Sequence, residues 1–232
     1  MLQAYVTNVG HTLLEHSQRR GIQYRFSIVD SPTINAYAVA GGGIYVTTGM
    51  LRFLESEAEL AAILGHEISH VDLMHCIERL QYELAARKIV GKDLALIARI
   101  GYMLVGLGFS EQQELEADSG GVILSAKARY DPLAAKPIFE RLAKFEEKTH
   151  EERKGPKAKP SLMLQEVGVA LGKALDQYFA THPPTGIRVR ELTRVYERNA
   201  RAWKGQRFYV GRSNYQDRIP RLSQERPGEW RN

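Results

Sequence analysis

An α+β fold, mostly helical and carrying a small three-stranded sheet, is what this 232-residue sequence predicts. Two observations carry the expectation. Three short runs rich in aromatic and β-branched residues all lie before position 48, and apolar residues at helical spacing dominate the rest. With 44% apolar and 25% charged residues, the composition is that of a globular protein able to bury a core as one domain with embellishments.

Leu2, Val6, Val9, Leu13 and Leu14 recur at helical spacing, so the chain opens with an amphipathic helix over 2–20, ended by Gly21. Tyr24–Val29 alternates as a strand, and Asp30-Ser31-Pro32 turns the chain. Tyr37–Val39 and Ile44–Thr47 read as two further strands joined through Gly41-Gly42-Gly43. A short helical piece at Gly49–Leu54 precedes a long helix capped by Ser56, with Glu59 completing a Ser-x-x-Glu capping box. That helix runs to about Arg87, with an interruption expected after His75. Further helices are expected over 93–107, from Glu111 to about Ala128, from Asp131-Pro132 to near Phe145, over Ser161–Phe179, and from Pro184 to about Trp203. The charged stretch 146–160 reads as an exposed, mobile loop, and 204–232 as a polar tail after a domain spanning 1–203.

The net charge of +5 is unevenly placed, with arginines concentrated from Arg188 to Arg231. Acidic residues interleave them, so a solvated surface is expected there and no nucleic-acid partner. Cys76 is the sole cysteine, which excludes a disulfide framework and a multi-cysteine zinc site; a buried inert thiol is expected. Leu2–Val9 is too short and too polar for a signal-peptide core, so an exported form would carry its leader ahead of this sequence. Leu94–Phe109 is the most apolar stretch, but it is short for a membrane span and holds Arg99. A buried or interfacial helix is expected, with contact to a membrane surface allowed but not indicated.

The chemistry centres on His66, Glu67 and His70. Two histidines four apart on a helix share a face, about 5–6 Å apart at Cβ, close enough for both ring nitrogens to reach one tetrahedral ion. Glu67 is rotated beside that ion, where it can take a proton from bound water and deliver it to a leaving amine. This is the H-E-x-x-H pattern of zinc peptidases. A catalytic zinc needs a third protein ligand and an open position. Glu114 and Asp118, also four apart, offer a ligand and an acceptor for the second N–H of a ligand histidine. Glu116 points elsewhere and reads as solvent-facing. His182 stands at a Pro183-Pro184 helix start, with Arg188 about two turns on, a placement suited to stabilising a tetrahedral oxyanion.

Asn35-Ala36-Tyr37-Ala38, the glycine run into Ile44-Tyr45-Val46-Thr47-Thr48-Gly49-Met50-Leu51, the His66–His70 motif, Glu114-x-x-Ala117-Asp118, and His182-Pro183-Pro184 with Arg188 occur in one order. In that combination the chain resembles the zinc metallopeptidase family of HtpX, the CAAX prenyl protease and BepA. The resemblance implies a zincin-like domain of gluzincin type, with zinc held by His66, His70 and Glu114 and with Glu67 as general base. It also implies that the strand Gly43, Ile44, Tyr45, Val46 is an edge pairing with extended substrate. His182 would sit on or near the zinc as a gate, and Arg188 would help bind the reacting carbonyl. The sequence lacks the hydrophobic spans of the membrane members and the helical repeats of some periplasmic ones. The expected function is a zinc endopeptidase acting on unfolded or exposed protein segments, in the periplasm or otherwise outside the cytoplasm. The alternative is a zinc-binding chaperone or assembly factor of envelope proteins with latent, His-gated proteolysis.

Overall fold

The computed structural model describes residues 1–87, 96–97, 100, 108–142, 144, 182 and 186–231. The helices expected over 93–107 and Ser161–Phe179, the charged loop 146–160 and Pro183-Pro184 lie wholly or largely outside the described residues. Helix α1 (Leu2–Leu14) leads into β1 (Arg25–Val29), β2 (Ala36–Val39) and β3 (Gly43–Thr47), then α2 (Thr48–Phe53) and α3 (Glu57–Asp72). Helix α4 (His75–Ala86), α5 (Glu111–Lys127) and α6 (Gly186–Trp203) follow, and a helical stretch covers 135–142. The α+β, mostly helical class expected from the sequence is the one observed.

The sheet order is β1-β3-β2, with β1 parallel and β2 antiparallel to β3. Strand β3 is therefore central, which corrects its expected role as a substrate-pairing edge: both of its sides are already hydrogen-bonded. The parallel β1–β3 pairing causes this, because it places the intervening β2 outside. Thr47 N–H donates to the Asn35 carbonyl, so the bonded pairs are 35/47, 37/45 and 39/43. Ala36 and Ala38 consequently turn their backbone N–H and C=O groups away from β3, along the edge.

Helix α3 is buried on every side from Glu57 to Val71. Leu60, Ala61, Leu64 and Ile68 pack in one core with Val6, Val9 and Leu13 of α1 and Ile44 and Val46 of β3. The helix ends sooner than its periodicity suggests. Met74 adopts φ 65°, a left-handed conformation that costs a side-chain-bearing residue roughly 1–2 kcal/mol, and α4 begins at His75. The interruption thus falls just before His75 rather than after it.

Residues 204–231, expected as a polar tail, form regular elements packed onto the body. Strand β4 (Phe208–Tyr209) pairs with β5 (Trp230–Arg231), and α7 (Arg212–Asp217) lies between them. Tyr209 and Tyr215 are core residues. Arg221 stacks over Tyr130 and donates to the carbonyls of Ala128 and Arg129. Cys76 is free and buried, as expected, its thiol pushed up to about 12 by burial.

Candidate metal centre

A helix buried all round should carry no polar side chain without a partner. On α3 the partners can be traced one by one. Glu57 accepts from the hydroxyls of Tyr5 and Tyr130 and from the Arg221 amide. Glu59 pairs with Arg141 and accepts from Glu55 N–H, so only the Ser56 half of the expected capping box forms. Ser69 donates to the Gly65 carbonyl. His66 Nδ1 lies 2.9 Å from Asp118 Oδ1, and His70 Nδ1 lies 3.0 Å from His75 Nδ1. Glu67 is the exception: its Oε2 is buried with no hydrogen-bond partner among the described residues.

Helix α5 supplies the opposing carboxylates, and a glycine pair sets its distance from α3. A Cβ on Gly121 would stand 3.0 Å from His66 N and 3.3 Å from the Gly65 carbonyl carbon, and one on Gly120 only 2.3 Å from Ser69 Oγ. Two glycines inside a helix each cost about 1 kcal/mol of helix propensity, and here that cost is offset by backbone approach. The approach brings Glu114 and Asp118 over the histidine face of α3. The sequence carries a signal for this, a Gly-Gly pair inside a helix, which motif reading passes over.

His66, His70, Glu114 and His182 converge, each offering one ligand atom, with all four atoms within 4.8 Å of one another. His66 Nε2 is 3.0 Å from His70 Nε2 and 3.3 Å from His182 Nδ1. Glu114 Oε1 is 2.9 Å from His182 Nδ1 and 3.5 Å from His70 Nε2. A tetrahedral ion about 2.0–2.1 Å from each ligand spaces them roughly 3.3 Å apart, so the cluster fits a metal. The donor chemistry agrees. Asp118 takes up the Nδ1 side of His66, leaving Nε2 facing the centre, and His75 does the same for His70.

Arg188 is buried, 1% exposed, and its nitrogens are spent on carboxylates. Nε and Nη2 each lie 2.7 Å from an Asp118 oxygen, and Nη1 lies 2.8 Å from Glu114 Oε2. These partners give it a role beside the expected one of binding a carbonyl. The guanidinium holds the two carboxylates in place with the bidentate geometry that arginine favours. His182 Nε2 is 3.6 Å from Glu67 Oε1, so His182 touches both the cluster and the orphaned carboxylate.

Charge in the site follows from these neighbours. Burial pushes the Glu67 carboxyl above its usual range, against the opposing pull of His182, His66 and the Ala38 backbone amide. Burial works against the Glu114 and Asp118 carboxylates too, but His182 and Arg188 respectively outweigh it and hold both groups low. Burial likewise resists charge on His66 but is overcome by Asp118, whereas in His70 it prevails and keeps the ring neutral. Neutral imidazole is the form that binds a metal.

Two features went unread in the sequence. His75 stands five residues after His70, a spacing that shares no helical face, and only the break at Met74 brings the rings together. Glu116, expected to face solvent, is half exposed but also lies 3.2 Å from His75 Nε2.

The family model described as Peptidase family M48 matches residues 1–196. The mitochondrial metalloendopeptidase OMA1 of Arabidopsis thaliana is 30% identical over 174 residues, covering 72% of this chain and 30% of that protein. OMA1 of Schizosaccharomyces pombe is 29% identical, covering 81% of this chain and 51% of that protein. The beta-barrel assembly-enhancing protease of Escherichia coli K12 is 24% identical, covering 61% and 33%. The chain thus spans between 30% and 51% of the length of these curated relatives.

Proposed function

Because the chain belongs to peptidase family M48, we propose that it is a zinc-dependent endopeptidase acting on unfolded or exposed protein segments. His66, His70 and Glu114 would hold the zinc, Asp118 would orient His66, and Glu67 would be the general base. The observation that carries this reading is the orphaned Glu67 Oε2, buried beside a four-residue cluster of metal-binding groups. A bound zinc supplies Lewis acidity toward water and a peptide carbonyl. Glu67 takes the proton of the attacking water and returns it to the leaving amine nitrogen as the C–N bond breaks. Its burial raises its proton affinity and suits it to both transfers. Extended substrate would lie along β2 at the outward N–H and C=O groups of Ala38, which is 8% exposed and whose amide lies beside Glu67; Ala36, fully buried, would not take part. Such pairing reads backbone rather than side chains, in keeping with unfolded segments as substrate.

A second reading is supported by His182. Its Nδ1 lies within hydrogen-bonding distance of both His66 and Glu114, in the place a fourth ligand would take. A catalytic zinc keeps that position open. In this reading His182 closes the site, and the protein is a zinc-bound chaperone or assembly factor with latent proteolysis. An extracytoplasmic place of action is supported by a relative named for beta-barrel assembly. Among the described residues no helix is long and apolar enough to cross a membrane.

The test pairs metal analysis with casein cleavage. Wild type should hold about one zinc, and Glu67→Gln should keep the metal while losing roughly 10²–10⁴-fold in rate. Cleavage by Glu67→Gln at the wild-type rate removes the general-base assignment. Faster cleavage by His182→Ala supports the gate, and a large loss supports a direct catalytic role.

A further inference from the structure

The two histidines of α3 are supported differently. His66 leans on Asp118, which is 4% exposed and tied to Arg188. His70 leans on another imidazole, whose far side reaches Glu116, 44% exposed at its side chain. We propose that His75 and Glu116 are positioning residues for the metal centre, forming a relay that fixes the ring orientation and tautomer of His70. This rests on the metal-centre reading given above.

Proton inventory leaves one arrangement. A His70 that presents Nε2 to a metal carries its single proton on Nδ1 and must donate it. The atom 3.0 Å away is His75 Nδ1, so His75 accepts there. A neutral His75 then bears its own proton on Nε2, 3.2 Å from Glu116 Oε2, which accepts it. The other Glu116 oxygen accepts from Gln112 Nε2 at 2.7 Å, steadying the carboxylate one helical turn from its neighbour on α5. Every donor in the chain His70–His75–Glu116 meets an acceptor, and no step has two donors opposed.

The backbone is built for the contact. Were α3 to continue straight, His75 would be rotated about 140° from His70 around the axis and could not meet its ring. Met74 in the left-handed region ends the helix and starts α4 at His75, which places the imidazole back against α3. A non-glycine residue held there is a local cost of the kind found where a site needs it. Phe109 completes the fixation, stacking on His70 with ring centroids 3.9 Å apart and planes 19° from parallel. His70 is thus held by a face contact and an edge hydrogen bond together.

The experiment uses the full chain, stripped of metal and titrated with zinc against a chromophoric chelator, and with cobalt(II) followed by its visible absorption. His75→Phe keeps a ring but offers no acceptor, and should weaken zinc about 10- to 100-fold and shift the cobalt bands. His75→Asn carries an oxygen near the place of Nδ1 and should restore affinity to within a few-fold of wild type. Glu116→Leu, at a half-exposed position that tolerates change, should give a smaller loss. In zinc-loaded wild type, imidazole nitrogen shifts should show His75 protonated on Nε2 and bare on Nδ1. Unchanged affinity and spectrum in His75→Phe would overturn the relay, as would equal losses in the Phe and Asn variants, or a proton on His75 Nδ1. A wild type that takes up neither ion refutes the metal-centre reading itself, and His70→Ala that binds zinc as wild type does the same for His70 as a ligand. These outcomes are distinct from failure of the relay alone.

Discussion

Replacing Arg188 by Met tests whether this arginine holds the site's carboxylates or serves the reaction directly. The side chain is 1% exposed, bonds Asp118 through two nitrogens at 2.7 Å and reaches Glu114 at 2.8 Å. Methionine keeps an apolar stem near Phe139, over which the guanidinium now stacks, but removes a cation that faces both carboxylates. Breaking a buried pair from one side costs about 3–5 kcal/mol, because the surviving charge is left uncompensated in a low dielectric. Urea unfolding of the metal-free protein near neutral pH should show a loss of that size. Arg188→Met combined with Asp118→Asn should recover part of it, since one of the two stranded charges is then gone.

The pH dependence has a definite sign. In wild type Arg188 leads the influences that hold Asp118 below its ordinary 3.8, against burial. A depressed carboxyl stabilises the fold above its unfolded value, and that contribution is lost as pH falls through the folded one. In the variant burial dominates and the carboxyl rises instead. Its ionised form then destabilises the fold at neutral pH, and the deficit shrinks as acid neutralises it. The difference between the two proteins should therefore be largest near neutrality and narrow toward acid. A cost under about 1 kcal/mol, or one independent of pH, would refute this account of Arg188.

Other consequences are open to direct measurement. Gly121→Ala forces a methyl to 3.0 Å from His66 N, so it should cost about 1–3 kcal/mol in urea unfolding and weaken zinc binding. Unchanged zinc affinity would show that the α3–α5 spacing does not set the site. Ala38→Pro removes an outward N–H without touching the β2–β3 ladder, and should lower kcat/KM by at least about 3- to 10-fold, the worth of one hydrogen bond plus the loss of its pull on Glu67, with little change in melting temperature. No change in kcat/KM would move substrate away from β2. Chelation should lower the melting point, since free zinc at about 1,000 times its Kd stabilises by roughly 4 kcal/mol; identical melting curves with and without chelator would rule out a metal bound only by the folded state.

What the sequence discloses about this site follows the reach of helical periodicity. His66, Glu67 and His70 could be placed because they share one unbroken helix, and Glu114 with Asp118 because they repeat the same spacing on another. The strand order could not be read that way. A glycine-linked pair of strands looks like a hairpin with β3 outermost, and nothing local records that β1 joins β3 in parallel on its far side. Arg188 looked available because a lone arginine near a site shows its charge in a sequence, but not the two carboxylates already holding it. His75 was hidden by geometry of another kind, since its partner is reached only through a backbone conformation that methionine seldom adopts.

The segment after Trp203 bears on the site through the far end of α3. The N–H groups of a helix's first three residues, like that of its N-cap, have no partner within it. Here Glu57 N–H donates to the Gly211 carbonyl, Ala58 N–H to that of Val210, and Glu59 N–H to Ser56 Oγ. Two of the three caps thus come from residues beyond 196, where the family match ends. The same segment satisfies Glu57 through the Arg221 amide, and Glu57 sits well at the positive end of the helix dipole. A chain ending at Trp203 would leave two N–H groups and part of a buried carboxylate unpaired, at about 1–3 kcal/mol for each group that water cannot reach. The helix that carries His66, Glu67 and His70 would fray from its start, so the truncated protein should melt well below the full chain and bind zinc more weakly. Equal melting and equal zinc affinity would show that α3 is held by its packing alone. A loss of stability that added zinc restores would show instead that the far cap and the metal centre steady the same helix from its two ends.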